Sequence, residues 1–85
     1  MILYHRTSRE AAEAIVASGT WVSKEHDQSI YFSTTPTGAI DGYGEVVLRV
    51  DVDPDVAVLD DEFPDGELHY RVHADALSGL DVSQA

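Results

Sequence analysis

The chain has no cysteine, and among its 85 residues are only five lysines and arginines, three prolines and one tryptophan. Without cysteine there is neither a disulfide framework nor a thiolate metal site. Its longest apolar runs fall far short of the ~20 residues needed to cross a bilayer as a helix. The N-terminal residues lack the basic start and long apolar region of a secretory signal. A soluble, cytoplasmic chain is expected. The scarcity of positive charge weighs against direct nucleic-acid binding, because a polyanion is repelled by an acidic surface.

What is present is acid. Sixteen aspartates and glutamates give a formal net charge of −11. The charge is unevenly placed. Residues 1–50 hold four basic and six acidic side chains, whereas residues 51–85 hold Arg71 and ten acidic ones. Such a surface confers solubility, or imitates a nucleic acid and occupies a basic partner. In the second case the surface comprises Asp51, Asp53, Asp55, Asp60, Asp61 and Glu62. A chain of this length forms one domain over residues 1–85 and buries only about 60–65% of its unfolded surface, so its core is thin.

Hydrophobic patterning places the elements. Met1 to His5 reads as a short buried strand. Thr7 and Glu10 fit a capping box for a helix running to about Ser18, with Ala11, Ala14, Ile15 and Ser18 on one face that Ala12 and Val16 widen. Gly19 is placed to end it. Trp21-Val22 reads as a brief strand or extended piece, Ser23 to Gln28 as loop and Ile30 to Ser33 as a strand. Thr35-Pro36 opens a turn or two of helix to Ile40, which Gly42 and Gly44 terminate. Glu45 to Val52 alternates as a strand, Asp53-Pro54-Asp55 turns, and Val56 to Leu59 is a short strand. Asp60 to Gly66 is expected as an acidic loop, Leu68 to His73 as a strand, Ala74 to Leu77 as a turn or single helical turn, and Leu80 to Val82 as an edge strand. One long helix followed by several strands with short connections gives an α+β fold on an antiparallel-rich sheet.

Two stretches carry candidate chemistry. His5 ends the first strand just before a helix start, where free backbone donors suit a phosphate or a ribose hydroxyl, and Arg6, Thr7 and Arg9 lie beside it. Tyr31 and Phe32 offer an aromatic face for a planar ring, or else pack in the core. The bland alternative for His5 is a strand-end histidine bonded to backbone.

Tyr4-His5-Arg6-Thr7 before an alanine-rich helix, together with Ile30-Tyr31-Phe32-Ser33, resembles small bacterial ADP-ribosyltransferase-like proteins of the His-Tyr-Glu class. That class includes poly-ADP-ribose polymerases and RNA 2′-phosphotransferases. The resemblance implies an NAD site with His5, Arg6, Thr7, Tyr31 and Ser33 as cofactor-binding residues. His5 would bond the adenosine-side ribose, Tyr31 would stack on nicotinamide, and Ser33 would support the pocket. A late glutamate would bond the nicotinamide ribose and stabilise the oxocarbenium-like transition state. Glu67 is the candidate, while the family spacing also allows Tyr70 or a neighbour, and Glu62 is a third choice. Transfer of ADP-ribose with release of nicotinamide is the implied activity, in a toxin, a phage counter-defence protein or a modifier of host proteins. If no carboxylate reaches the pocket, nucleotide is bound and nothing is transferred. The alternatives are an inert acidic module that occupies a basic protein surface as an inhibitor, and a plain interaction subunit.

Other constellations are weaker. His69 and His73, with Asp65 or Asp75, make a conceivable metal pair outside any HExxH context. Asp51, Asp53 and Asp55 alternate as in a calcium loop, but Pro54 interrupts them and neither the glycine nor the closing glutamate is there.

Overall fold

The computed structural model describes residues 1–22, 28–36, 44–62 and 66–85. They form strand β1 (Ile2–Thr7), helix α1 (Arg9–Ser18), β2 (Ser29–Ser33), β3 (Val46–Asp51), β4 (Ala57–Glu62), β5 (Leu68–His73), the four-residue helix α2 (Ala74–Leu77) and β6 (Val82–Gln84). The six strands make one sheet in the order β4-β5-β2-β1-β3-β6. Every pairing is antiparallel, as an α+β fold with short connections requires. Among the described residues no helix is long and apolar enough to cross a membrane.

Local chemistry explains the limits of α1. Thr7 stays in β1, and Ser8 is the N-cap, its hydroxyl accepting from Ala11 N at 3.1 Å. The cap therefore falls one residue later than expected and the Thr7–Glu10 box does not form, since Ala11 stands at the third helical position and Thr7 pairs with Val46. At the other end Gly19 takes φ 69° and donates to the Ile15 carbonyl. Ala12 and Ile15 are the buried helical positions, while Ala14 and Val16 are exposed. The buried stripe is thus narrower than the pattern suggests. Small alanines let α1 sit close on β3 and β6.

The core lies on that face of the sheet. Leu3, Ile30, Phe32, Val46, Leu48, Val50 and Val72 are all nearly inaccessible to solvent, and Trp21, Ala74 and Leu77 join them. Alternation in β3 was legible because its inward residues are all valine or leucine. Trp21 is buried without belonging to a strand.

Two elements differ from expectation. Asp60, Asp61 and Glu62 continue β4 instead of looping out, with Asp61 opposite His69 and Glu62 opposite Leu68. Pairing to β5 outweighs the poor strand propensity of acidic residues. A register shift between Leu59 and Asp61 adds one residue to the edge strand. The last strand is Val82–Gln84, two residues beyond the expected Leu80 start, with Ala85 N bonded to the Val47 carbonyl. Pro54–Val56 forms a short 3₁₀ turn capped by Asp53, whose carboxylate accepts from Asp55 N. The loop assigned to residues 23–27 and most of the helix expected after Thr35-Pro36 lie outside the described residues.

Gly44 and Gly19 both have positive φ but differ in surroundings. A Cβ on Gly44 (φ 133°) would lie 2.2 Å from the carbonyl carbon and oxygen of Thr7, whereas one on Gly19 meets nothing within 4 Å. Gly44→Ala is therefore expected to cost about 3 kcal/mol or more, and Gly19→Ala about 1 kcal/mol, the left-handed penalty alone. Urea unfolding of the two variants checks this, and equal losses would contradict it.

Candidate active site

Alternation along the paired strands sorts the candidate residues onto two faces. His5 and Thr7 share the helix-covered face with their partners Leu48 and Val46. Tyr4 stands opposite Ser33, so Arg6, Tyr31 and Ser33 fall on the other face. His69 opposes Ser33, and Arg71 opposes Tyr31, on that same face. The pocket expected from His5 on one side and Tyr31 and Ser33 on the other is thus divided by the sheet. Arg6, Tyr31, Ser33 and Glu67 are brought to one side, while His5 and Thr7 are not.

His5 has a different setting. Its ring lies 5.2 Å from that of Trp21 and 5.6 Å from that of Phe32. Nδ1 donates to the Tyr31 carbonyl at 2.7 Å, because a carbonyl can only accept. β1 and β2 share only the register pair Tyr4–Ser33. The imidazole supplies a further link between these strands where that pairing stops. Burial pushes its pKa below the ordinary 6.5, against a smaller opposing effect of the Tyr31 hydrogen bond.

The polar face has a buried carboxylate at its centre. Glu67, directly before β5, is only 6% exposed. Its Oε1 accepts from Ser33 Oγ at 2.5 Å and lies 3.0 Å from His69 Nε2. A buried carboxylate is costly unless hydrogen-bonded, and charge-assisted bonds of this kind are among the strong ones. The Ser-Thr-Thr sequence builds the seat. Ser33 Oγ also accepts from Thr35 N at 3.1 Å. Thr34 Oγ1 accepts from Leu68 N at 3.2 Å, and Thr34 N donates to the Leu68 carbonyl at 3.1 Å. The end of β2 is thereby pinned on both sides of the residue that follows Glu67.

Around this centre the face is polar across the whole sheet. Asp61, His69, Ser33, Tyr4, Arg49 and Ser83 form one lateral row through all six strands. Arg6, Arg49 and Arg71 lie on the same face, three of the chain's five basic residues. Arg71 is 3.8 Å from Asp60, and Arg6 Nη1 reaches the Gly44 carbonyl at 3.4 Å. Tyr31 is 37% exposed, unlike its core neighbour Phe32. An open groove of about 330 Å³ between α1, β3 and β6 lies on the opposite face, its floor formed by Ala12, Val46 and Leu48 and its charged groups, Arg9 and Glu13, exposed.

Of the three residues considered for the place of the late glutamate, only Glu67 is buried on this face. Tyr70 opposes Phe32 on the helix side, and Glu62 is exposed opposite Leu68. In the sequence His69 stands out only as half of a metal pair. His69 and His73 are four residues apart on β5, about 13 Å along a strand, and His73 Nδ1 accepts from Asp75 N. Among the described residues no three His, Asp or Glu side chains are grouped to hold a metal; Asp65 lies outside them. The Glu-x-His spacing at the head of a strand was the available signal for the Glu67–His69 contact, since alternate strand residues share a face. No family model, curated protein or solved structure matches the chain.

The lowered pKa of His5 has a sign that can be tested. The unfolded chain binds the proton more readily, so the contribution of neutral His5 to stability is complete above pH 6.5 and is lost as pH falls toward the lower folded value. His5→Gln keeps an N–H for Tyr31 and does not titrate. The stability advantage of the wild type over this variant should shrink between about pH 7 and about pH 5. An advantage constant with pH, measured by urea unfolding, would show that folding does not lower the His5 pKa.

Proposed function

We propose that the polar face is an NAD site and that the chain is a minimal ADP-ribosyltransferase. The observation that carries this reading is the buried Glu67 carboxylate fixed by Ser33 and His69. It shares a sheet face with the exposed Tyr31 ring and the arginines Arg6, Arg49 and Arg71. A concentration of cations on one face of a chain with net charge −11 suits an anionic ligand, and the dinucleotide's pyrophosphate is one. From β5 to β3 the face spans about 14 Å at the usual strand spacing. The resemblance to the His-Tyr-Glu class supplies the chemistry.

Nicotinamide stacks on Tyr31, and Glu67 lies by the 2′-hydroxyl of its ribose. The bond from the ribose anomeric carbon to the nicotinamide nitrogen breaks, and nicotinamide leaves with the electron pair. The carboxylate offsets the positive charge developing on the sugar. An acceptor nucleophile then bonds to the anomeric carbon and releases its proton to solvent. In this reading His5 holds β2 from the core side and does not contact nucleotide, in contrast to the role the resemblance implies.

NAD titration with assay of nicotinamide release tests this. Glu67→Gln is expected to lower kcat about 100- to 1000-fold, the usual effect of losing one transition-state electrostatic contact, with NAD affinity nearly kept. Tyr31→Ala should weaken NAD binding roughly tenfold, in line with loss of a stacking contact. Neither binding nor release in the wild type would end the proposal; binding without release would leave a nucleotide-binding protein.

A second reading draws on β4. This edge strand exposes Val58 and Leu59 by about half, beside Asp60, Asp61 and Glu62. An acidic module that occupies a basic protein surface would use it. Binding to a cationic partner that weakens steeply with salt, and is lost when Asp60, Asp61 and Glu62 become amides, supports this reading; salt-independent binding opposes it.

A further inference from the structure

We propose that His69 is the positioning residue of this site, holding Glu67 ionised and oriented through a donated Nε2–H. The inference rests on the NAD reading for its functional consequence, and on geometry alone for the interaction.

Side chains two residues apart on a strand point the same way and are separated by about 6.6 Å along it. His69 Nε2 nevertheless approaches Glu67 Oε1 to 3.0 Å, so the ring leans back along the strand toward the carboxylate. The contact is enclosed, with the two side chains only 12% and 5% exposed. A carboxylate oxygen accepts, so Nε2 carries the proton. Ser33 donates to the same oxygen. Two donors arriving from different strands fix both the position of Oε1 and the rotation of the carboxyl group. A hydroxyl alone fixes the distance and leaves the rotation softer. This division assigns Ser33 to anchoring and His69 to aiming.

Other groups face this pair. Asp61 of β4 lies directly opposite His69, and Ser33 of β2 lies opposite on the other side, with Tyr4 of β1 beyond it. Arg71 follows two residues later on β5 and pairs laterally with Tyr31. A second carboxylate and a cation therefore flank the imidazole, and Asp61 and Arg71 are the controls for any change read at His69.

Hydrogen bonds to the ionised form lower the pKa of a carboxyl group. Removing the imidazole donor should therefore raise the Glu67 midpoint by about one pH unit, a tenfold gain in proton affinity. The experiment is carbon-13 NMR of the Glu67 side-chain carboxyl against pH in the wild-type chain, His69→Ala and His69→Gln. We expect the rise in His69→Ala and recovery of at least half of it in His69→Gln, whose amide N–H replaces the donor. Nitrogen-15 NMR of the wild type should show the proton on Nε2 of His69. A bare Nε2 above the ring's titration, or one Glu67 midpoint in all folded variants, overturns the proposal. The wild-type ring measurement decides the matter even where a variant fails to fold.

Nicotinamide release separates this inference from the function it serves. In an active wild type, His69→Ala should move the acid limb of the kcat profile to higher pH, with KM for NAD within about twofold, as expected when only transition-state contacts change. A change confined to KM would overturn the positioning role. If the wild type releases no nicotinamide while the NMR midpoint shifts, the transferase reading fails and the Glu67–His69 assignment stands. If release occurs and the midpoint does not move, the reverse holds.

Discussion

A side chain on a strand points to one face of its sheet or the other, and in this small domain that parity governs everything else. One helix of useful length is available among the described residues, and it covers the face bearing Leu3, Phe32, Leu48 and Val50. Residues of opposite parity come together on the other face, which accordingly collects tyrosine, histidine, arginine and serine. Because Tyr4 stands opposite Ser33, a slip of one residue between β1 and β2 would send Phe32 outward and Ser33 into the core. The register of that single pair and the hydrophobic face are therefore mutually dependent.

The buried carboxylate follows from the same constraint. Glu67 precedes β5 and faces the polar side, where the hydroxyl-rich end of β2 meets it. An acid in that position would be destabilising beside apolar neighbours. Here its donors come from elements already joined by backbone pairing, so the cost of ordering them is shared with the sheet. Ser33 is held by Thr35 N as well as by the carboxylate, which ties the turn after β2 to the start of β5. The polar centre is thus part of the sheet's construction as well as a site for chemistry.

Much of this was legible in the sequence, for identifiable reasons. β3 announces itself through alternation, β5 less cleanly, and Gly19 through the need for a left-handed residue after a helix. Glu67 and Ser33 were picked out by resemblance, and their contact is geometric. What was not legible depends on distant pairing. Asp60 to Glu62 have poor strand propensity and become strand only because β5 offers a partner. His5 and Tyr31 look alike as pocket residues, and which face each takes is set by register between strands 26 residues apart. No local pattern carries that information. The Thr7-Ser8 ambiguity at the helix start is of the opposite kind, a local choice between two adequate hydroxyls settled by the reach of β1.

The extra residue in β4 has a consequence for how crowded copies of this chain meet one another. A straight outer strand is a template on which an identical strand can lie, residue against residue. Here the shift between Leu59 and Asp61 breaks the straight run, and three successive carboxylates follow it. A second copy would bring its own carboxylates against these and meet a kinked rail in place of a flat one. Kink and like charge together make this outer strand a poor template for an identical one.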